Sequence, residues 1–268
     1  PFMKLVVAGG ISCYNRVESE NRFQPETGWK ADNINPRGAS HMKWKKRFTD
    51  LAKKYKHGWV FLYILIYMPW FLYLEKHVTT HYHVIQIPLD EYIPFIEYFI
   101  VPYLLWFVFI AVAFLYFFFT DVPGFYKMAK LMFTGMTIFL IISTVFPNGQ
   151  DLRPVVFERD NIFVDMVRVL YRADTCTNVF PSLHVFNSLS VCIAIHEGQA
   201  LKKHRGICIG AYILVGLIIL ATMFLKQHSV LDVMAAFLMA YVLYQFVYAS
   251  ERKKAPRYAK RPVLQNTK

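Results

Sequence analysis

Pro94 to Phe119 reads PFIEYFIVPYLLWFVFIAVAFLYFFF, an apolar run whose one charge, Glu97, lies near its start. A helix needs about 20 mostly apolar residues to cross the hydrocarbon core of a bilayer, and this run is long enough. Glu97 either pairs with an arginine of an outer loop or sits at the headgroup level. Similar runs extend from Gly58 to Leu74, Ala129 to Phe146, Ser182 to Ile195, Gly206 to Leu225 and Val230 to Ala249. The expected fold is therefore all-α: a polytopic membrane protein, a six-transmembrane-helix bundle with an outer-face active site. The fourth run is the shortest and most polar, with Ser182, His184, Asn187 and Ser188 near its start. Such side chains are costly against lipid, so that helix should face other helices or a polar cavity.

Composition agrees. Of 268 residues, 56% are hydrophobic and 17% aromatic, and the mean hydropathy is +0.31. A soluble domain of this size needs more polar surface. The net charge of +12 lies mostly at the chain ends and in short loops between apolar runs. That is how topogenic charge facing an anionic leaflet is distributed, and no polar basic domain exists to carry nucleic acid. The four cysteines, Cys13, Cys176, Cys192 and Cys208, form no CxxC pair and read as small packing residues.

Charge also sets the orientation. Lys43, Lys45, Lys46, Arg47, Lys53, Lys54 and Lys56 precede the first run. Lys127 and Lys130 follow the second, Lys202, Lys203 and Arg205 the fourth, and Arg252, Lys253, Lys254 and Arg257 the sixth. With six spans, all of these share one side, which the positive-inside rule makes cytoplasmic, with both termini. The outer loops are then 76–93, 147–181 and 226–229. Within the longest, Phe163, Met166, Val167, Leu170 and Tyr171 recur at helical spacing, as in a short amphipathic helix over the bundle.

The ends read differently. Gly38-Ala39-Ser40-His41-Met42 resembles an expression-tag junction running into an initiator methionine. Residues 1–41 are thus expected to be a tag or a native disordered leader, 42–250 the membrane domain, and 251–268 a basic cytoplasmic tail.

Three stretches place ionisable groups at the outer ends of apolar helices. They are Asn148-Gly149-Gln150-Asp151-Leu152-Arg153-Pro154, Phe180-Pro181-Ser182-Leu183-His184 and Lys226-Gln227-His228-Ser229-Val230-Leu231-Asp232. Six-span topology brings all three to one face. His228 and Asp232 are four apart, on one side of a helix, so the carboxylate can fix the imidazole tautomer and make its far nitrogen nucleophilic. His184 can protonate a leaving oxygen. Arg153 offers a planar fork for phosphate oxygens. Ser182, with the free N–H groups at its helix start, is a further candidate phosphate donor. Taken singly each pattern is weak, and a hydrogen-bonded bundle histidine is the ordinary alternative. The convergence at one face carries the reading.

In order and spacing these motifs resemble the type 2 phosphatidic acid phosphatase superfamily, membrane branch. Arg153-Pro154, Pro181-Ser182 with His184, and His228 with Asp232 match its three motifs. The resemblance implies a phosphohistidine intermediate on His228, general-acid catalysis by His184, and no metal or other cofactor. Phe146 stands where the family has lysine, Leu183 where it has glycine, and Ala221-Thr222 where it has Ser-Arg, so Lys226 and Gln150 are the candidate phosphate donors in place of the missing family residues. Those departures resemble the branch that includes sphingomyelin synthases and fungal inositol phosphorylceramide synthases, which pass a phospho-headgroup to an alcohol.

The expected function is a metal-independent lipid phosphatase acting on a phosphatidic acid-like or isoprenyl diphosphate substrate, with the bilayer as its other partner. A lipid phosphotransferase is the alternative, and a non-catalytic membrane protein or transporter on the same scaffold is a third reading. Short loops point to a bacterial plasma membrane, with the active site extracytoplasmic. His77, His81 and His83 form an H-x-x-x-H-x-H cluster in the first outer loop, better read as interfacial polar residues than as metal ligands.

Overall fold

The computed structural model describes Arg47 and residues 49–250. The expected leader at 1–41 and tail at 251–268 lie outside them. The chain divides into two compact units, 1–54 and 55–268. In the first, the described residues are helical. The second holds all that follows.

Its helices, in chain order, are α1 (Lys56–His77), the short α2 (Leu89–Tyr92), α3 (Glu97–Thr120), α4 (Val122–Val145), α5 (Ile162–Ala173), α6 (Leu183–Glu197), α7 (Arg205–Phe224) and α8 (Val230–Ala249). Two-residue strands β1 (His83–Val84) and β2 (Asn148–Gly149) pair in parallel. Helices α1, α3, α4, α7 and α8 are long and apolar enough to cross a membrane. Leu65, Phe107, Leu115, Ile213 and Leu238 stand exposed on these helices, a quantity of bare apolar surface that water does not tolerate and lipid does. The molecule is an all-α polytopic membrane protein.

The run expected as the fourth span is α6. At 15 residues it is roughly 22 Å long at 1.5 Å per residue, shorter than the hydrocarbon core. It packs against α3, α4, α7 and α8 and buries Val185, Phe186, Asn187, Ser188, Ser190 and Val191. A helix sheathed by other helices can carry polar residues, because its hydrogen bonds close within the protein: Ser188 Oγ donates to the His184 carbonyl at 2.6 Å and Ser190 Oγ to that of Phe186 at 2.9 Å. Where α6 crosses α4, a methyl group on Gly135 would collide with the fully buried Phe186 ring. Gly135→Ala should therefore cost about 1–3 kcal/mol through overpacking. An unchanged melting temperature in detergent would show that the ring has room to move.

The loops at 76–93 and 147–181 are knitted together by backbone. His83 pairs with Asn148 and Val84 with Gly149, Gly149 bridges to Thr177, and the Gln150 N–H donates to the Cys176 carbonyl at 2.9 Å. Buried Asn148 accepts the N–H groups of Val179 and Phe180 on its Oδ1, at 2.9 and 2.8 Å. The segment leading into α6 is thereby fixed to the end of α4.

The expected amphipathic helix is α5. Asn161 caps it, accepting from the Val164 N–H at 3.0 Å, and Val164 and Val167 are its buried residues. Of the two readings of Glu97, the structure takes the pairing. Arg159 lies 3.1 Å from its carboxylate and Asn161 Nδ2 donates to it at 3.0 Å, anchoring the long loop to the start of α3.

Candidate active site

His184 lies in the first turn of α6, and His228 just before α8. Ser182 is the N-cap of α6; its Oγ accepts the Val185 N–H at 3.4 Å, and its own N–H donates to the Asp232 carbonyl at 3.2 Å. Ser229 caps α8 in a capping box with Asp232. The carboxylate that closes this box also faces His228, since Asp232 Oδ2 accepts the Ser229 N–H at 3.0 Å and lies 3.3 Å from His228 Nδ1. On the far side of that ring, His228 Nε2 is 3.3 Å from His184 Nδ1. Asp232, His228 and His184 thus form one hydrogen-bonded row, joining two helices that are 44 residues apart in sequence at the histidines.

Arg153 lies over the Tyr171 ring, 4.6 Å from its centre. Its guanidinium donates to the carbonyls of Asp174 and Thr175, each at 2.8 Å, and to Gln227 Oε1 at 2.5 Å. The neighbour of His228 is therefore tied to the long loop. Among the described residues, Arg153 Nε and Gln227 Nε2 are buried donors without an acceptor. Leaving a buried donor unpaired costs about 1–3 kcal/mol, a cost an anionic oxygen would relieve.

Lys226 and Gln150 are engaged elsewhere. The Lys226 ammonium donates to the Asp90 carbonyl at 2.7 Å, and burial lowers its pKa. Gln150, fully buried, donates to the Lys226 carbonyl at 2.9 Å and accepts the Leu152 N–H at 2.5 Å. Both hold the shape of the loop that presents His228. Lys226 itself takes a left-handed backbone conformation, φ 52°, which is costly for a side chain of this kind and is tolerated where surroundings enforce it.

Sequence reasoning passed over three residues here. Buried Asp90 accepts from Ser229 Oγ (2.6 Å), the Val230 N–H (2.8 Å) and the Ile87 N–H (2.9 Å). Tyr103, buried in α3, has its hydroxyl 2.9 Å from His184 Nε2 and 3.4 Å from Asp174 Oδ2. Asp174 is the third. Nothing local marks them: Asp90 and Asp174 are two acids among several in the loops between spans, and Tyr103 is one aromatic among many in a span. The histidines of the H-x-x-x-H-x-H cluster separate, with His77, at the end of α1, on the Tyr73 carbonyl (2.8 Å) and His83 stacked on Phe146.

A family model described as the PAP2 superfamily matches residues 148–256. The match begins at Asn148 and takes in Arg153, His184, His228 and Asp232, and it agrees with the superfamily expected from the motifs. Neither a curated protein nor a solved structure matches the chain.

Proposed function

We propose, from the match of residues 148–256 to the PAP2 superfamily, that this protein is a metal-independent lipid phosphatase working through a phosphohistidine. The row Asp232–His228–His184 carries the reading. Asp232 holds the proton of His228 on Nδ1, which leaves Nε2 as a lone pair aimed at phosphorus. Phosphate enters between the two rings, replacing their 3.3 Å contact. His228 Nε2 then forms the P–N bond, the P–O bond to the leaving alcohol breaks, and His184 supplies the proton that oxygen takes. Water attacks the phosphohistidine in the second half and returns a proton to His184. Arg153 is the phosphate clamp, and Ser182, Lys226 and Gln150 shape the helix start and loop beside it. The catalytic face is extracytoplasmic, the termini are cytoplasmic and the host is a bacterial plasma membrane.

One observation favours an alcohol as the acceptor in place of water. Where the family has its second arginine this chain has Thr222, buried and hydrogen-bonded to its own helix at 2.7 Å, so the anion-binding charge expected of a phosphatase is reduced. Purified protein incubated with phosphate-labelled phospholipid and candidate alcohols, in the presence of EDTA, separates the readings. Label released as free phosphate supports the phosphatase, and label in a new lipid supports transfer. Complete loss of turnover caused by EDTA would sink the metal-independent mechanism.

A further inference from the structure

Tyr103 offers one proton to two partners, His184 Nε2 at 2.9 Å and Asp174 Oδ2 at 3.4 Å. A phenol cannot donate to both, so the direction of each bond follows from its neighbours. Asp232 Oδ2 is an acceptor and places a proton on His228 Nδ1, which makes His228 Nε2 a lone pair. The contact of that lone pair with His184 Nδ1 is a hydrogen bond only if His184 Nδ1 carries hydrogen. His184 Nε2 is then a lone pair in its turn and takes the Tyr103 proton. That leaves the Tyr103 oxygen facing Asp174 as an acceptor, satisfied by a protonated Asp174.

We propose that Asp174 and Tyr103 are positioning residues that feed the leaving-group proton through a neutral His184. The inference rests on the phosphohistidine reading given above. As His228 Nε2 bonds to phosphorus and the P–O bond breaks, the leaving oxygen takes the proton from His184 Nδ1. His184 Nε2 takes the Tyr103 proton, and Tyr103 takes that of Asp174, which ends as a carboxylate. The phosphorylated His228 ring gains the positive charge, opposite Asp232. When water or an alcohol attacks the phosphohistidine, its proton runs the same path backwards to Asp174. Each imidazole nitrogen of His184 exchanges one proton, and the ring is never asked to hold two.

The surroundings of Asp174 fit a carboxyl that starts protonated. Desolvation raises its pKa, and Glu75 on α1 acts in the same direction. Arg153 and His228 oppose this, and the bond to Tyr103 would do so only with the phenol as donor. Arg153 spends its two Nη groups on the backbone carbonyls of Asp174 and Thr175 and on Gln227, so these donors fix the loop without forming a side-chain ion pair with the acid. Tyr171 on α5 stacks under that guanidinium and donates to the Leu225 carbonyl at 2.7 Å.

The test uses Asp174→Asn and Tyr103→Phe on two esters: dioctanoyl phosphatidic acid, whose alkoxide needs a proton to leave, and p-nitrophenyl phosphate, whose leaving group is stable without one. The rate read is first-turnover release of dioctanoylglycerol or p-nitrophenol, because breakdown of the phosphohistidine is common to both esters and uses the relay in each. Both variants should slow the alkyl ester by about tenfold to a hundredfold, within the range of general-acid effects, and leave the aryl ester within about twofold. The ratio of the two rates in one preparation is independent of how much protein is folded, so partial misfolding does not obscure the outcome. Both esters slowed alike, or neither slowed, overturns the relay while the phosphohistidine stands. Wild-type protein that turns over neither ester, or a His228→Ala variant that still turns over both, overturns the underlying function and the relay with it.

Discussion

His228→Ala is expected to abolish phosphate release from a lipid substrate, a loss of roughly a thousandfold or more, as when a covalent nucleophile is removed. The fold should survive. Asp232 Oδ2 keeps its bond to the Ser229 N–H without the imidazole, so the capping box of α8 stays closed, and the Asp90 bonds to Ser229 and Val230 are untouched. Membrane insertion and helical content by circular dichroism should match wild type. Unchanged phosphate release in a folded variant removes His228 from the nucleophile's role.

The second large effect is on stability, at a residue that touches no substrate. Asp90→Ala deletes the acceptor for Ser229 Oγ and for the Val230 and Ile87 N–H groups. An unpaired buried donor costs about 1–3 kcal/mol; Ser229 is buried and the two N–H groups are partly so, which brings the expected loss to about 3–5 kcal/mol. At about 2–4 °C per kcal/mol for a domain of this size, the melting temperature should fall by roughly 6–20 °C. The Lys226 ammonium keeps its bond to the Asp90 backbone carbonyl but loses the neighbouring negative charge that favours its protonated form. Catalysis should fall together with stability, because the start of α8 that follows His228 is released. A melting curve matching wild type would mean that the loop is held by other contacts.

The parts of the fold legible in the sequence are those set by solvent. A run such as 94–119 has to leave water whatever its neighbours do, and the five long apolar helices follow from composition alone. The amphipathic period of α5 survived for the same reason, since its apolar positions must find cover. The fourth run was legible as a helix, and its polar residues pointed to a place inside the bundle. Its length of 15 residues reflects a helix whose surroundings are protein more than lipid.

The site divides along a similar line. His228 and Asp232 could be paired from sequence because four residues is one helical turn, and His184 joined them because topology puts the start of α6 and the start of α8 at one end. Asp90, Tyr103 and Asp174 had no such signal. Their partners lie 139, 81 and 71 residues away for Ser229, His184 and Tyr103 respectively, and no local period encodes a contact of that span. Gln150 and Lys226 show the converse. Their chemistry suits a phosphate, yet the fold gives their polar atoms to a carbonyl, an amide and the Asp90 backbone.

By itself, then, the sequence determined the solvent of each segment and the pairing of groups one helical turn apart, since hydrophobic transfer and helix pitch act locally. Only the tertiary structure decided which acids and hydroxyls reach the histidines and which donors are spent on the scaffold. Hydrogen bonds act over about 3 Å, and which atoms come that close is set by the packing of the whole bundle.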